Sequence, residues 1–214
     1  MARFFTISNS NESQLVNMDR SLDAALNFFS SNIKDEQKTE YFDAFDGRLK
    51  GFVIFRKEER KRIHRDVKNK TIIVCDGSPM IENNSLDAKK FNDLYQRSNL
   101  SKLSSDIDGG HIELIIDENN SKISLVRDRI GLKPVYFFNS DNKFVCSSNA
   151  GAIIRSGLVV AKPNQKVIGK YAACNFRAPY GSENSFFKDI NMLPSGTIIN
   201  YHENKINFNK YWDW

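Results

Sequence analysis

Three cysteines, three histidines and one densely charged loop are the places in this sequence where chemistry could be built. Cys75, Cys146 and Cys174 are odd in number and widely spaced, which fits neither a disulfide framework nor a zinc site. Cys75 closes the apolar run Thr71-Ile72-Ile73-Val74, and Cys146 sits in Phe144-Val145-Cys146. Both read as small buried strand residues, the usual fate of a free cysteine. A catalytic thiolate needs a base or a helix N-terminus beside it to lower its pKa, and none of the three has such a neighbour in sequence. His64, His111 and His202 form no ligand pair, so no metal site is expected.

The charged loop is Arg127-Asp128-Arg129-Ile130-Gly131-Leu132-Lys133-Pro134-Val135-Tyr136-Phe137. Gly131 permits a backbone conformation that other residues resist, and Pro134 fixes φ and removes a donor before the next strand. Arg127 and Asp128 are placed to hydrogen-bond the loop from inside. A tight, salt-bridged connection between two strands accounts for the physics of the motif.

The elements that must hold this loop are mostly strands. Patterns rich in β-branched and aromatic residues recur at GFVIFR, TIIVC, HIELIID, KISLVRD, VYFF, KFVCSS, GTIINY and KINFN. Arg3–Ser8 reads as an edge or terminal strand. Turn chemistry joins the pairs: Asp117–Ser121, Asn139–Asn142 and His202–Asn204 are short and polar, which means hairpins and antiparallel pairing. Helical spacing is expected over Ser21–Phe29 with Ser21 as N-cap, over Leu86–Tyr95 opened by Ser85, and around Val167–Cys174. Asn149–Ser156 is a shorter turn or helix. Hairpins with a few segregated helices indicate an α+β fold. No repeat or linker divides residues 1–214, which read as one domain.

Composition limits the classes. The chain has 214 residues, with 16 Phe and 7 Tyr, too many bulky apolar side chains for a disordered polymer. No run approaches the roughly 18–20 apolar residues of a membrane-spanning helix, and MARFFTISNSNE lacks the layout of a secretory signal. A cytoplasmic setting is expected. The formal charge is +5, concentrated in Arg56–Arg65. That run contains Glu58 and Glu59 and no stacking aromatics, so it reads as a solvated strand end or hairpin and not as a nucleic-acid surface.

The charged loop closely resembles the R-D-x-x-G-x-K-P-L-Y-Y segment of the glutaminase domain of asparagine synthetases, a class II glutamine amidotransferase. The resemblance extends upstream to Leu103–Asp117, similar to a segment ending D-G-x-F-A-F-x-x-x-D, with Asp108, Gly109 and Asp117 in register. Downstream, Phe144–Ser148 resembles F-A-S-E, Phe187–Gly196 resembles F-x-x-I-x-x-L-P-P-G, and Lys210–Asp213 resembles the closing Y-W-D. Together these span about residues 71–213 in the family's order; residues 1–70 resemble it weakly. The resemblance implies an N-terminal-nucleophile (Ntn) hydrolase-like αββα sandwich of two antiparallel sheets. In active relatives a leading cysteine attacks the glutamine side-chain amide, its own α-amino group acts as base, and ammonia passes to a synthetase domain that activates a carboxylate with ATP.

Against that pattern the sequence departs at the chemistry. The family begins M-C-G-I; here Met1-Ala2-Arg3-Phe4 offers no nucleophilic side-chain atom, and the first cysteine is Cys75. No catalytic residue is expected. The family's oxyanion-hole loop, Y/F-N-G-E-I-Y-N, matches Cys75–Asn83, where Gly77 keeps the glycine but Asp76 replaces the amide. An ionised carboxylate cannot donate to an oxyanion. The family's S-D-T-E, whose Asp holds the glutamine α-ammonium, aligns with Leu86–Lys89. Asp87 either keeps that place or sits in a helix first turn, favoured by the helix dipole. Asp76, Gly77 and Asp87 are thus the remnant substrate pocket, and Arg127, Asp128, Gly131, Lys133 and Pro134 the structural motif. Arg48 and Arg56 are possibilities for the glutamine-carboxylate arginine, and the family's R-G-P-D segment is absent.

The resemblance therefore implies a catalytically degenerate glutaminase-like domain. It would be a scaffold or docking domain of an asparagine synthetase-like, ATP-dependent amide-forming ligase, as in β-lactam synthetases and lasso-peptide cyclases. There the nucleophile is an amine within a peptide or amino-acid-derived substrate, so no ammonia is needed. The sequence holds no S-G-G-x-D-S pyrophosphate loop. ATP and Mg would belong to a synthetase domain, in cis after residue 214 of a longer chain or in trans, and no cofactor is expected here. Two alternatives stand beside this: a working glutaminase supplying ammonia to asparagine synthesis whose cysteine has been replaced by alanine, and a stand-alone peptide- or protein-binding module.

Overall fold

The computed structural model describes residues 2–10, 16–30, 36–57, 59–140, 142–174 and 184–213. Its elements in chain order are β1 (Arg3–Asn9), α1 (Val16–Ser30), β2 (Gln37–Ala44), β3 (Leu49–Arg56), β4 (Ile63–Asp66), β5 (Thr71–Gly77), β6 (Met80–Ile81), β7 (Asn84–Ser85), α2 (Ala88–Tyr95) and α3 (Leu100–Asp106). They continue with β8 (His111–Asp117), β9 (Lys122–Arg127), β10 (Tyr136–Ser140), β11 (Lys143–Ser147), α4 (Ala150–Arg155), α5 (Gln165–Cys174), β12 (Asn191–Met192), β13 (Thr197–His202) and β14 (Lys205–Lys210). One six-stranded sheet runs β12-β10-β11-β1-β3-β2 and the other β14-β13-β9-β8-β5-β4, antiparallel throughout.

Strand alternation builds the layers. Side chains at successive positions point to opposite faces. Phe4, Val53, Phe55, Phe137 and Phe144 of the first sheet therefore meet Ile72, Val74, Leu114, Leu125 and Ile199 of the second in one core. On the outer face of the first sheet, Phe5, Ile7, Phe52 and Val145 are covered by Met18, Leu22, Ala25 and Phe29 of α1 and by Ala152 and Ile153 of α4. The outer face of the second carries Ile73, Cys75, Ile115 and Val126 under Phe91 of α2 and Leu103 of α3. This is the α+β class that alternating strands and segregated helices call for, in the αββα arrangement that the family resemblance implies.

Several local expectations are corrected. β1 is no edge strand; it lies between β11 and β3 and is buried on both faces because Phe4-Phe5-Thr6-Ile7 fills the interlayer core and the helix layer in turn. Ser21 does not cap α1, which already runs from Val16, and Ser21 is buried inside it. α2 is capped by Asp87 and not Ser85, which belongs to β7. The run Arg56–Arg65 is a strand end but not a hairpin, since β3 pairs in the first sheet and β4 in the second. Six elements went unread: β2, β4, α3 and the two-residue strands β6, β7 and β12. β2 and β4 are edge strands whose outward positions are polar, and α3 is short and serine-rich. Glu58, Asp141 and the side chain of Cys174 lie outside the described residues. Among the described residues no helix is long and apolar enough to cross a membrane.

Candidate functional site

A cavity of about 400 Å³ opens where the head of β1, the C-terminal end of α1, the end of β5 and the loop after β9 converge. Ala2, Phe28, Phe29, Leu132 and Pro134 form its apolar walls, and Arg3, Asp76, Lys133, Ser148 and Asn149 supply polar groups.

The loop after β9 is held from two sides. The Arg127 guanidinium donates to the carbonyls of Lys133 (2.7 Å), Gly131 (2.7 Å) and Leu193. The fully buried Asp128 carboxylate accepts from the backbone N–H of Leu132 (2.9 Å) and Lys133 (3.0 Å). Gly131 adopts φ 71°, and its N–H returns to the Asp128 carbonyl at 3.2 Å. Each of these bonds made by the Arg127 and Asp128 side chains ends on main chain, so the pair is a device for fixing loop backbone. What the fixed loop delivers is Lys133.

Lys133 reaches into the cavity and meets Asp76, with Nζ 3.3 and 3.4 Å from the two carboxylate oxygens. Burial pushes the Asp76 carboxyl above its ordinary value, while Lys133 and Arg62 pull the other way. Gly77, one residue on, takes φ 98° at the end of β5, where it pairs with His111 of β8, and a Cβ there would overlap the Gly110 carbonyl. Arg62 donates to the Gly77 carbonyl and, through Nε, to Glu59 at 3.1 Å, bracing the end of β5.

The structure brings Asp76, Lys133 and Pro134 together at the cavity, whereas Gly77 does not line it. Asp87 also lies elsewhere: its carboxylate accepts from Lys90 N–H at 2.8 Å as the cap of α2. Arg48 binds the Phe45 carbonyl at the far hairpin and Arg56 ends β3; neither lines the cavity. The guanidinium that does is Arg3, 5.9 Å from the Phe29 ring centroid. Arg3, Phe28, Phe29, Ser148 and Asn149 escaped the sequence reading. Only Asn149 carried a signal, as the helix cap that accepts Gly151 N–H at 2.8 Å.

Behind the site lies a second polar group that sequence could not reveal. His111 and Glu113 are fully buried with Nδ1 and Oε2 2.9 Å apart. Burial alone would lower the His111 pKa, but Glu113 and Asp128 hold it above its ordinary value. Cys75 and Cys146 are buried and free, and burial pushes both thiols up, away from nucleophilic use. Among the described residues no three His, Cys, Asp or Glu side chains converge as metal ligands do.

The family model of the glutamine amidotransferase domain matches residues 87–212. The chain belongs to that family. Its fold is that of the Ntn glutamine amidotransferases: the structure is similar to glutamine phosphoribosylpyrophosphate (PRPP) amidotransferase from B. subtilis, complexed with ADP and GMP. The TM-score is 0.55 and the identity 12%, over 99% of this chain and 49% of that one. It is also similar to a structure described as the allosteric regulatory enzyme of purine biosynthesis (TM-score 0.56, identity 12%, 99% and 49% covered). This glutamine amidotransferase domain thus spans about half the length of the solved chains it matches. Comparison with curated protein sequences gives no match.

Proposed function

We propose that this amidotransferase domain does not hydrolyse glutamine and serves as the scaffold or docking unit of an asparagine synthetase-like, ATP-dependent amide-forming ligase. The observation that carries the first half is the residue at the head of β1. Ala2 lines the cavity, and a methyl group has no lone pair with which to attack an amide carbon. Asp76 supports the same conclusion: a buried carboxylate already engaged by Lys133 donates nothing to a developing oxyanion. The second half draws its support from the asparagine-synthetase-like wording of Arg127–Phe137 and of the segments flanking it. The partner is then a synthetase domain, in cis or in trans, which binds ATP and Mg and uses an amine of a peptide or amino-acid-derived substrate. Two free buried thiols suit a reducing, cytoplasmic setting.

Incubation of the protein with glutamine is expected to release glutamate at the rate of buffer alone, and Ala2→Cys is expected to stay there because Asp76 remains. Steady turnover by the unaltered protein would refute the inactive site. Turnover by Ala2→Cys alone would instead support a working glutaminase that has lost only its nucleophile.

A further inference from the structure

The cavity that lost its nucleophile has not lost the features of a binding site. We propose that it takes a small monocarboxylate with an apolar body, such as an aryl-alkanoic acid, in place of a zwitterionic amino acid. This rests on the reading of the site as non-hydrolytic. Size, wall chemistry and charge point the same way. A volume of about 400 Å³ lies in the range that encloses small organic ligands. Phe28, Phe29, Leu132 and Pro134 give it walls that favour a hydrocarbon or ring over a carboxamide side chain.

The polar groups are chiefly donors. Lys133 Nζ stands 3.3 and 3.4 Å from the Asp76 oxygens, longer than the roughly 2.7–2.9 Å of a tight charge-assisted bond, so its ammonium keeps protons for a second acceptor. The Ser148 hydroxyl accepts Phe4 N–H at 3.2 Å and retains its own proton to donate. Asn149 spends its carbonyl oxygen on Gly151 and keeps its amide N–H groups. Arg3 gives one N–H to the Phe29 carbonyl at 3.3 Å and has others to offer.

Two cations, Arg3 and Lys133, face one carboxylate, Asp76, so the lining carries one positive charge in excess. An α-ammonium group finds no unpaired carboxylate among the described lining residues. Asp76 is taken by Lys133, and Asp87 sits outside the cavity capping α2. A carboxylate satisfies this lining, an amine opposes it, and a zwitterion leaves its ammonium unmet.

The test titrates the full chain with 4-phenylbutyrate, 4-phenylbutanamide, 4-phenylbutylamine and glutamine, read by calorimetry and by shifts of backbone amide resonances. The acid is expected to bind saturably and to move the signals of Phe29, Lys133 and Ser148. The amide and the amine are expected to bind about tenfold more weakly or worse. Arg3→Ala, which keeps the Asp76–Lys133 pair, should weaken the acid several-fold. The double variant Asp76→Asn/Lys133→Met, which leaves no stranded charge, should weaken it about tenfold. Equal binding of acid, amide and amine, or no binding of the acid, overturns the proposal while leaving the non-hydrolytic reading intact. Glutamine binding more tightly than the acid, with glutamate released, overturns both.

Discussion

At the scale of single residues, the buried His111–Glu113 pair ties stability to pH. The folded-state pKa of His111 lies above its ordinary 6.5 because Glu113 and Asp128 outweigh the burial that would lower it. The folded protein therefore binds more protons than the unfolded chain over the window from about pH 6.5 up to the raised value. Stability from this group is fully present below that window and is lost as pH rises through it, with a slope of at most about 1.4 kcal/mol per pH unit. Urea midpoints measured from pH 5 to 9 are expected to fall on the alkaline side, and His111→Gln is expected to remove that fall. A flat profile in the unaltered protein would contradict a raised His111 pKa. Nothing in the segment His111-Ile112-Glu113 distinguishes it from an ordinary strand with polar alternate positions. The groups around it, Cys75, Asp128 and Tyr211 among them, come from other segments of the chain, and that information is not local.

At the scale of elements, the end of β5 where Gly77 pairs with β8 and the loop after β9 are two points where backbone geometry leaves no slack. Gly77→Ala requires a main-chain shift, because its Cβ would overlap the Gly110 carbonyl at a φ that side chains avoid. A loss of about 3 kcal/mol is expected. Arg127→Ala would strand three carbonyl acceptors and cost about 2–4 kcal/mol. Arg127→Lys should recover little of it, since an ammonium cannot reproduce the fork. Denaturant unfolding checks both, and a loss below about 0.5 kcal/mol in either would contradict the clamp. The Arg127–Pro134 motif was legible in sequence as a turn because glycine, proline and paired charges each have local meaning. That it serves to present Lys133 was not, since Asp76 lies on another strand. The same distance in sequence hid Arg3 and Phe29 from the cavity.

At the scale of the whole molecule, the hairpins and the α+β class followed from period-two alternation and polar turns, and the two-sheet sandwich from the family resemblance. The layers held where an element was buried on both faces, as in β5 and β8, and blurred at the edge strands β2 and β4, whose polar outward positions weaken the pattern. The interlayer core includes an aromatic stack: Phe144 lies on Tyr201 with centroids 4.7 Å apart. Phe144→Ala is expected to cost about 3–5 kcal/mol, whereas Val67→Ala, at a position 87% exposed, should stay within about 0.5 kcal/mol; equal costs would mean the two sheets do not meet as described. The strand order has a further consequence for biogenesis. β1 finds one neighbour at β3 but the other only at β11, where Phe5 faces Ser147. A nascent chain must therefore keep Phe4, Phe5 and Ile7 out of the wrong company until β11 has been translated, a task for chaperones or for translational timing.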